Sequence, residues 1–305
     1  MSIVLTLVQQ TVIMFLLAGI GYWLFKIRKI TPEGSKVLGN LLIYIVLPCV
    51  IVKGFLVERT VEKMIALGVA SAAGLATIVL SAVVAHLFFK KDVIADFATA
   101  FCNIGFFGVP LITGIMGAEA VFYVAPAIAF LNLAQFSYGV SLMTGEKSSL
   151  SFKNVIKAPF MVAIIIGALL FFTQLPLPSV ITSTISYVSA INTPLAMFVV
   201  GVYLAETDIL AMFKKPVLYE ISAIRLLVIP LLTLALLSLL PSSFRDMKFA
   251  LLIGMASPVG SNVAVYAQLH NKDYCYAVET VIISVLFSIV TMPAIVWLAQ
   301  LVWNI

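Results

Sequence analysis

Ten stretches of this chain stay apolar for about 20 residues each, the length an α-helix needs to cross a bilayer. They cover 3–25, 37–56, 64–89, 95–116, 119–143, 155–173, 184–205, 217–240, 248–269 and 275–303. A water-soluble globule could not hide them: 63% of the 305 residues are apolar and 10% are charged, against about 45–50% and about 25% in soluble domains. The longest polar connection, 144–154, leaves no room for a soluble domain. The expectation is an all-α integral membrane protein with one membrane domain, 1–305, surrounded by lipid. The first run comes before the basic cluster at Lys26, Arg28 and Lys29. A cleaved signal has the opposite order, so this run reads as a span.

The net charge of +5 is a topology signal. With the N-terminus outside, the inner loops hold twelve lysines and arginines, Lys147 and Lys153 among them. The outer loops hold five, and Arg225 falls inside a span. That bias places both termini outside the cytoplasmic membrane. The basic residues form no patch, so no nucleic acid is expected as a partner. Cys49, Cys102 and Cys275 have no paired spacing, and His86 and His270 lie near span ends as interfacial polar residues. No metal or other cofactor is expected.

Dividing the runs at 144–154 gives five and five. An odd number per half makes the second half enter from the opposite side, as in the inverted repeats of secondary transporters. Pro48 and Pro194 lie 146 residues apart, Pro110 and Pro258 lie 148 apart, and so do Gly19 and Gly167. The expected organisation is repeat one at 1–143, a cytoplasmic linker at 144–154 and repeat two at 155–305.

Two runs are interrupted near their middles. The fourth carries Asn103, Gly105, Gly108 and Pro110 within eight residues; the ninth carries Ser257, Pro258, Gly260, Ser261 and Asn262. Proline lacks an N–H and clashes with the preceding turn. Unwound backbone at bilayer depth is tolerated only where it is buried in protein or lines a cavity. Each run therefore reads as two half-helices, with Ser257 capping and Pro258 opening one of them. Half-helix N-termini favour anions, and the amides and hydroxyls add neutral donors. The nine residues are candidate ligands for a small organic anion, a mono- or dicarboxylate. Tyr44 and Pro48 in the second run, and Asn192, Thr193 and Pro194 in the seventh, are candidates for the cavity wall, with Thr193 read as a helix cap.

Ionisable residues inside a membrane are functional suspects. Arg225 is a candidate gate or counter-charge, with snorkelling to the interface as the alternative. Glu279 is a candidate coupling carboxylate, with stabilisation of its helix start as the alternative. Asp96 and Glu206 read as interfacial. Sodium, a proton or the membrane potential alone stay open as driving forces.

The segments "NIGFFGVPL" at 103–111, "SPVGSNVAVYAQ" at 257–268 and "YIVLPCVIVKGF" at 44–55 resemble those of the auxin efflux carrier family. Its members include plant carriers and short bacterial permeases for malate, malonate and similar acids. The resemblance spans the whole chain. It implies broken helices four and nine that cross at mid-membrane, a scaffold of spans one, two, six and seven, and an elevator-type moving unit. It further implies Asn103 as a direct carboxylate ligand, and a homodimer. The short 144–154 loop resembles the prokaryotic branch. Bile-acid sodium symporters share a similar architecture, which keeps a sodium-coupled symporter as the alternative. A channel or receptor is a further alternative, whereas an enzyme is not expected: no GxSxG, HExxH or Asp-rich run occurs.

Overall fold

The computed structural model describes residues 3–145 and 156–304, so most of the expected linker, with Lys147 and Lys153, lies outside the described residues. Among the described residues every regular element is helical, apart from one isolated two-residue β-bridge. Among the described residues seven helices are long and apolar enough to cross a membrane: α1 (Ile3–Lys26), α2 (Pro32–Phe55), α3 (Val61–Phe89), α6 (Ala118–Thr144), α8 (Ser179–Glu206), α9 (Pro216–Ser238) and α12 (Tyr274–Trp303). Helix α7 (Pro159–Thr173) is apolar but shorter. The two interrupted runs each form a pair of helices. These are α4 (Val93–Ala100) with α5 (Ile104–Met116), and α10 (Arg245–Met255) with α11 (Asn262–Leu269). The chain is thus a multi-pass membrane protein.

Helix starts follow local chemistry. The Thr31, Thr60, Asp92 and Asp273 side chains accept first-turn amides of α2, α3, α4 and α12, relieving donors that a helix cannot satisfy itself. Between α5 and α6 the chain turns at Gly117 with φ 88°, a conformation that L side chains avoid.

Three prolines shape helices without ending them. Pro48, Pro110 and Pro230 each follow a turn in which the ladder slips by one residue. Leu47 N–H donates to the Leu42 carbonyl, Val109 to Ile104 and Ile229 to Ile224. Each proline ring crowds the preceding turn and supplies no donor, and a single wide i→i+5 turn absorbs both effects. Pro110 therefore lies inside α5, seven residues beyond the break that the sequence reading grouped it with. The proposed cap at Thr193 is not formed. Helix α8 bends at Ile191, and Thr193 is the second residue after the bend.

Helix α1 packs along α8, and α2 packs against α7 and the start of α8. Helix α3 packs against α6 and α4, and α12 against α9 and α11. Small residues bring α1 and α8 close: a Cβ on Gly201 would sit 2.0 Å from the Ala18 carbonyl oxygen, and one on Gly21 would sit 2.5 Å from that of Phe198. Such close approach is a common basis of helix association in lipid. Because the obstacles are backbone atoms, Gly201→Ala is expected to destabilise the protein by about 1–3 kcal/mol. Thermal unfolding in detergent checks this, with a melting point equal to wild type as the contrary result.

Candidate functional site

The two breaks meet each other. Cys102 and Val259 form an antiparallel bridge. Asn103 N–H donates to the Pro258 carbonyl at 2.8 Å, and Gly260 N–H donates to that of Phe101 at 2.9 Å. Val259 N–H donates to the Ser284 hydroxyl of α12 at 3.0 Å. Backbone left open by the two breaks is thus paired across the crossing, as unwound backbone inside a membrane must be. Gly260 is required there, since a Cβ would come within 3.0 Å of the Cys102 carbonyl oxygen and 3.1 Å of that of Phe101.

On one side of the crossing lies a cavity of about 470 Å³. Its walls come from α2 (Tyr44, Leu47), the breaks, α6 (Asn132, Gln135, Phe136), the start of α7 (Phe160) and α11 (Tyr266), with His270 also lining it. Of the nine candidate ligands it gathers five: Asn103, Gly105, Gly260, Ser261 and Asn262. Gly108, Pro110, Ser257 and Pro258 do not line it. Gly108 and Ser257 instead pack the crossing together, a Cβ on Gly108 falling 2.8 Å from the Ser257 hydroxyl. Ser257 caps no helix; its hydroxyl donates back to the Ile253 carbonyl at 3.2 Å, and α11 starts only at Asn262. Tyr44 is in the wall, whereas Pro48, Asn192, Thr193 and Pro194 are not.

The donor set is neutral. Asn103 is buried, and its Oδ1 accepts the Phe106 amide at 3.2 Å, capping α5. Its Nδ2 is buried without a protein partner. Asn262 Nδ2 donates to Gln135 Oε1 at 2.7 Å, tying α11 to α6. In the first turn of α5 the Phe106 and Phe107 amides donate to Asn103, and in that of α11 the Val263 and Ala264 amides donate to the Gly260 and Ser261 carbonyls; both helices begin at the cavity. No lysine or arginine lines it among the described residues. Everything else in the wall is mainly aromatic or aliphatic.

Gln135 was not among the expected residues, although Asn132 and Gln135 stand three apart in an otherwise apolar run, a spacing that puts two amides on one helix face. The charged residues also differ from expectation. Arg225 does not snorkel: it is fully buried, and its guanidinium donates to the Thr99 and Met255 carbonyls. Glu279 is buried and held by Lys215 Nζ at 2.8 and 2.6 Å from its two oxygens. Asp96, read as interfacial, is 1% exposed. His86 Nδ1 lies 2.8 Å from it, and the Tyr138 hydroxyl donates to it at 3.3 Å. Its N-terminal position in the run disguised it, because α3, α4 and α6 close around it only in the fold.

A family model described as membrane transport protein matches residues 6–154 and 143–296. The chain belongs to this family, that of the auxin efflux carriers. A protein of Rhizobium meliloti (strain 1021) named "Putative malonate transporter" is 26% identical over 299 residues, covering 92% of each chain. An "Uncharacterized transporter" of Methanothermobacter thermautotrophicus is 29% identical over 203 residues, covering 64% of each. The chain is a membrane transport protein.

The buried Val259 amide depends on the Ser284 hydroxyl as its acceptor. Ser284→Ala is expected to cost about 1–3 kcal/mol by stranding that buried donor, and Ser284→Thr, which keeps a hydroxyl, less. Melting temperatures of the two variants against wild type provide the measurement.

Proposed function

We propose that the protein is a ten-span secondary transporter that moves a small organic anion across the cytoplasmic membrane by elevator-type alternating access. Its two inverted five-span repeats are 1–143 and 155–305, joined by the linker 144–154, with both termini outside and a homodimer as the working unit. Seven long helices, the shorter α7 and two broken pairs support the count of ten. The pairing of α1 with α8 and of α2 with α7 supports a scaffold distinct from the helices around the crossing.

One observation carries the reading. Two broken helices meet at a β-bridge beside a cavity, and the buried Nδ2 of Asn103 there has no protein partner among the described residues. A buried donor left unmade is costly, so it is kept for a guest. A carboxylate suits it: hydrogen bonds to charged groups are the strong ones, and the starts of α5 and α11 add positive dipole ends. The name of the Rhizobium relative points to a dicarboxylate. The break residues group their neutral donors at the crossing, and apart from Asn132, Gln135, His270 and the tyrosine hydroxyls the rest of the wall is aromatic or aliphatic, which fits one carboxylate on an apolar body better than two. For such a monovalent anion an inside-negative potential favours export by about 2.3 kcal/mol per 100 mV, so net export needs no coupling ion.

In proteoliposomes, counterflow of a monocarboxylate such as phenylacetate or 4-methyl-2-oxopentanoate is expected, with weaker competition from malonate. Asn103→Ala should weaken binding by about 1.5–3 kcal/mol, the range for a hydrogen bond to a charged group, and Asn103→Asp should abolish it by repulsion. Wild-type transport by both variants would show that the anion sits elsewhere.

A further inference from the structure

Arg225 is among the largest side chains that the fold buries completely. It sits in the wide turn Ile224–Val228 that Pro230 imposes on α9. Among the described residues it has no carboxylate partner within ion-pair distance. Its Nη1 donates to the Thr99 carbonyl at 3.2 Å, and its Nη2 donates to the Met255 carbonyl. Thr99 lies in the last turn of α4, and Met255 is the last residue of α10. One guanidinium therefore bonds the C-terminal ends of both first half-helices, the two places where carbonyls lose their intrahelical donors.

The charges match. Each helix C-terminus carries roughly half a negative charge, so two together offset about one positive charge. This is how a buried cation persists without an acid beside it. In other carriers built on broken helices, such C-terminal ends and unwound carbonyls coordinate the coupling cation. We propose that Arg225 is a tethered cation in that place, and that this carrier consequently moves its anion without sodium. It is a positioning residue: it does not line the cavity. It neutralises the negative helix ends and leaves the positive N-terminal ends of α5 and α11 for the guest. The inference rests on the carrier reading above.

Two measurements test it. Counterflow by the wild-type protein should run at the same rate when choline replaces sodium on both sides; a fall on the order of tenfold or more, the size of a true coupling, would overturn the proposal. Absence of counterflow with every carboxylate in both salts would instead refute the carrier reading. The second measurement needs no transport. Thermal unfolding of wild type and of Arg225→Lys should be the same in sodium chloride and choline chloride. Arg225→Ala, with the site vacated, should show a sodium-specific rise in melting point. A sodium-specific rise in wild type, or a folded Arg225→Ala that melts alike in both salts, would sink the idea. The wild-type arms decide even where Arg225→Ala does not fold.

Discussion

Backbone groups at bilayer depth have no water to turn to, and the architecture around the crossing follows from how this chain meets that constraint. Two helical runs are broken, at 101–103 and 256–261, and inside a membrane each unsatisfied backbone group costs several kcal/mol. The chain answers with three kinds of partner. The breaks pair with each other through Asn103, Pro258, Gly260 and Phe101. Side chains of neighbouring helices take what remains, Ser284 the Val259 amide and Arg225 two terminal carbonyls. Asn103 turns back on its own helix to hold the Phe106 amide. Those three provisions come from α4–α5, α9, α10–α11 and α12, so the crossing is fixed only when these elements have assembled.

The glycines and the serine of the breaks serve that assembly as much as any guest. Gly108 lets α5 approach the end of α10, where a Cβ would fall 3.2 Å from the Gly254 Cα. Gly260 admits two carbonyls of the opposite strand. Residues that looked like one set of ligands in the sequence thus divide into two: those that face the cavity and those that close the crossing behind it.

The spans were legible because hydropathy over about 20 residues is a strong signal, and the breaks were legible because proline, glycine and asparagine cluster nowhere else so densely. What each proline does was not. Pro110 and Pro258 carry the same sequence signal, yet one follows a slipped turn inside a helix and the other supplies a carbonyl to a β-bridge. That difference depends on what lies opposite, and the sequence of one segment does not contain it. The same holds for charge. Arg225 is two turns into its span, a distance from which a long side chain could reach the interface. It turns inward because the carbonyl ends of α4 and α10 converge on it, a meeting of residues 126 and 30 positions away. Asp96 stands near the start of its run and was placed at the interface for that reason. His86 and Tyr138 come from two other helices to cover it.

The layout of charge at the crossing has a consequence for turnover. A lysine or arginine facing the cavity would bind a carboxylate strongly, and a carrier that holds its cargo too tightly cannot release it. Here the full positive charge is placed against the C-terminal carbonyls of α4 and α10, where backbone dipoles balance it. In the proposed carrier the cavity keeps amides, hydroxyls and helix N-termini, each a weak attractor of an anion and several acting together. Separating the cation from the donors in this way lets one residue stabilise the broken fold while the site itself stays neutral. On the proposed reading the two roles use the two sides of the same breaks, the carbonyl ends of α4 and α10 and the amide ends of α5 and α11, so moving the charge toward one side would weaken the other.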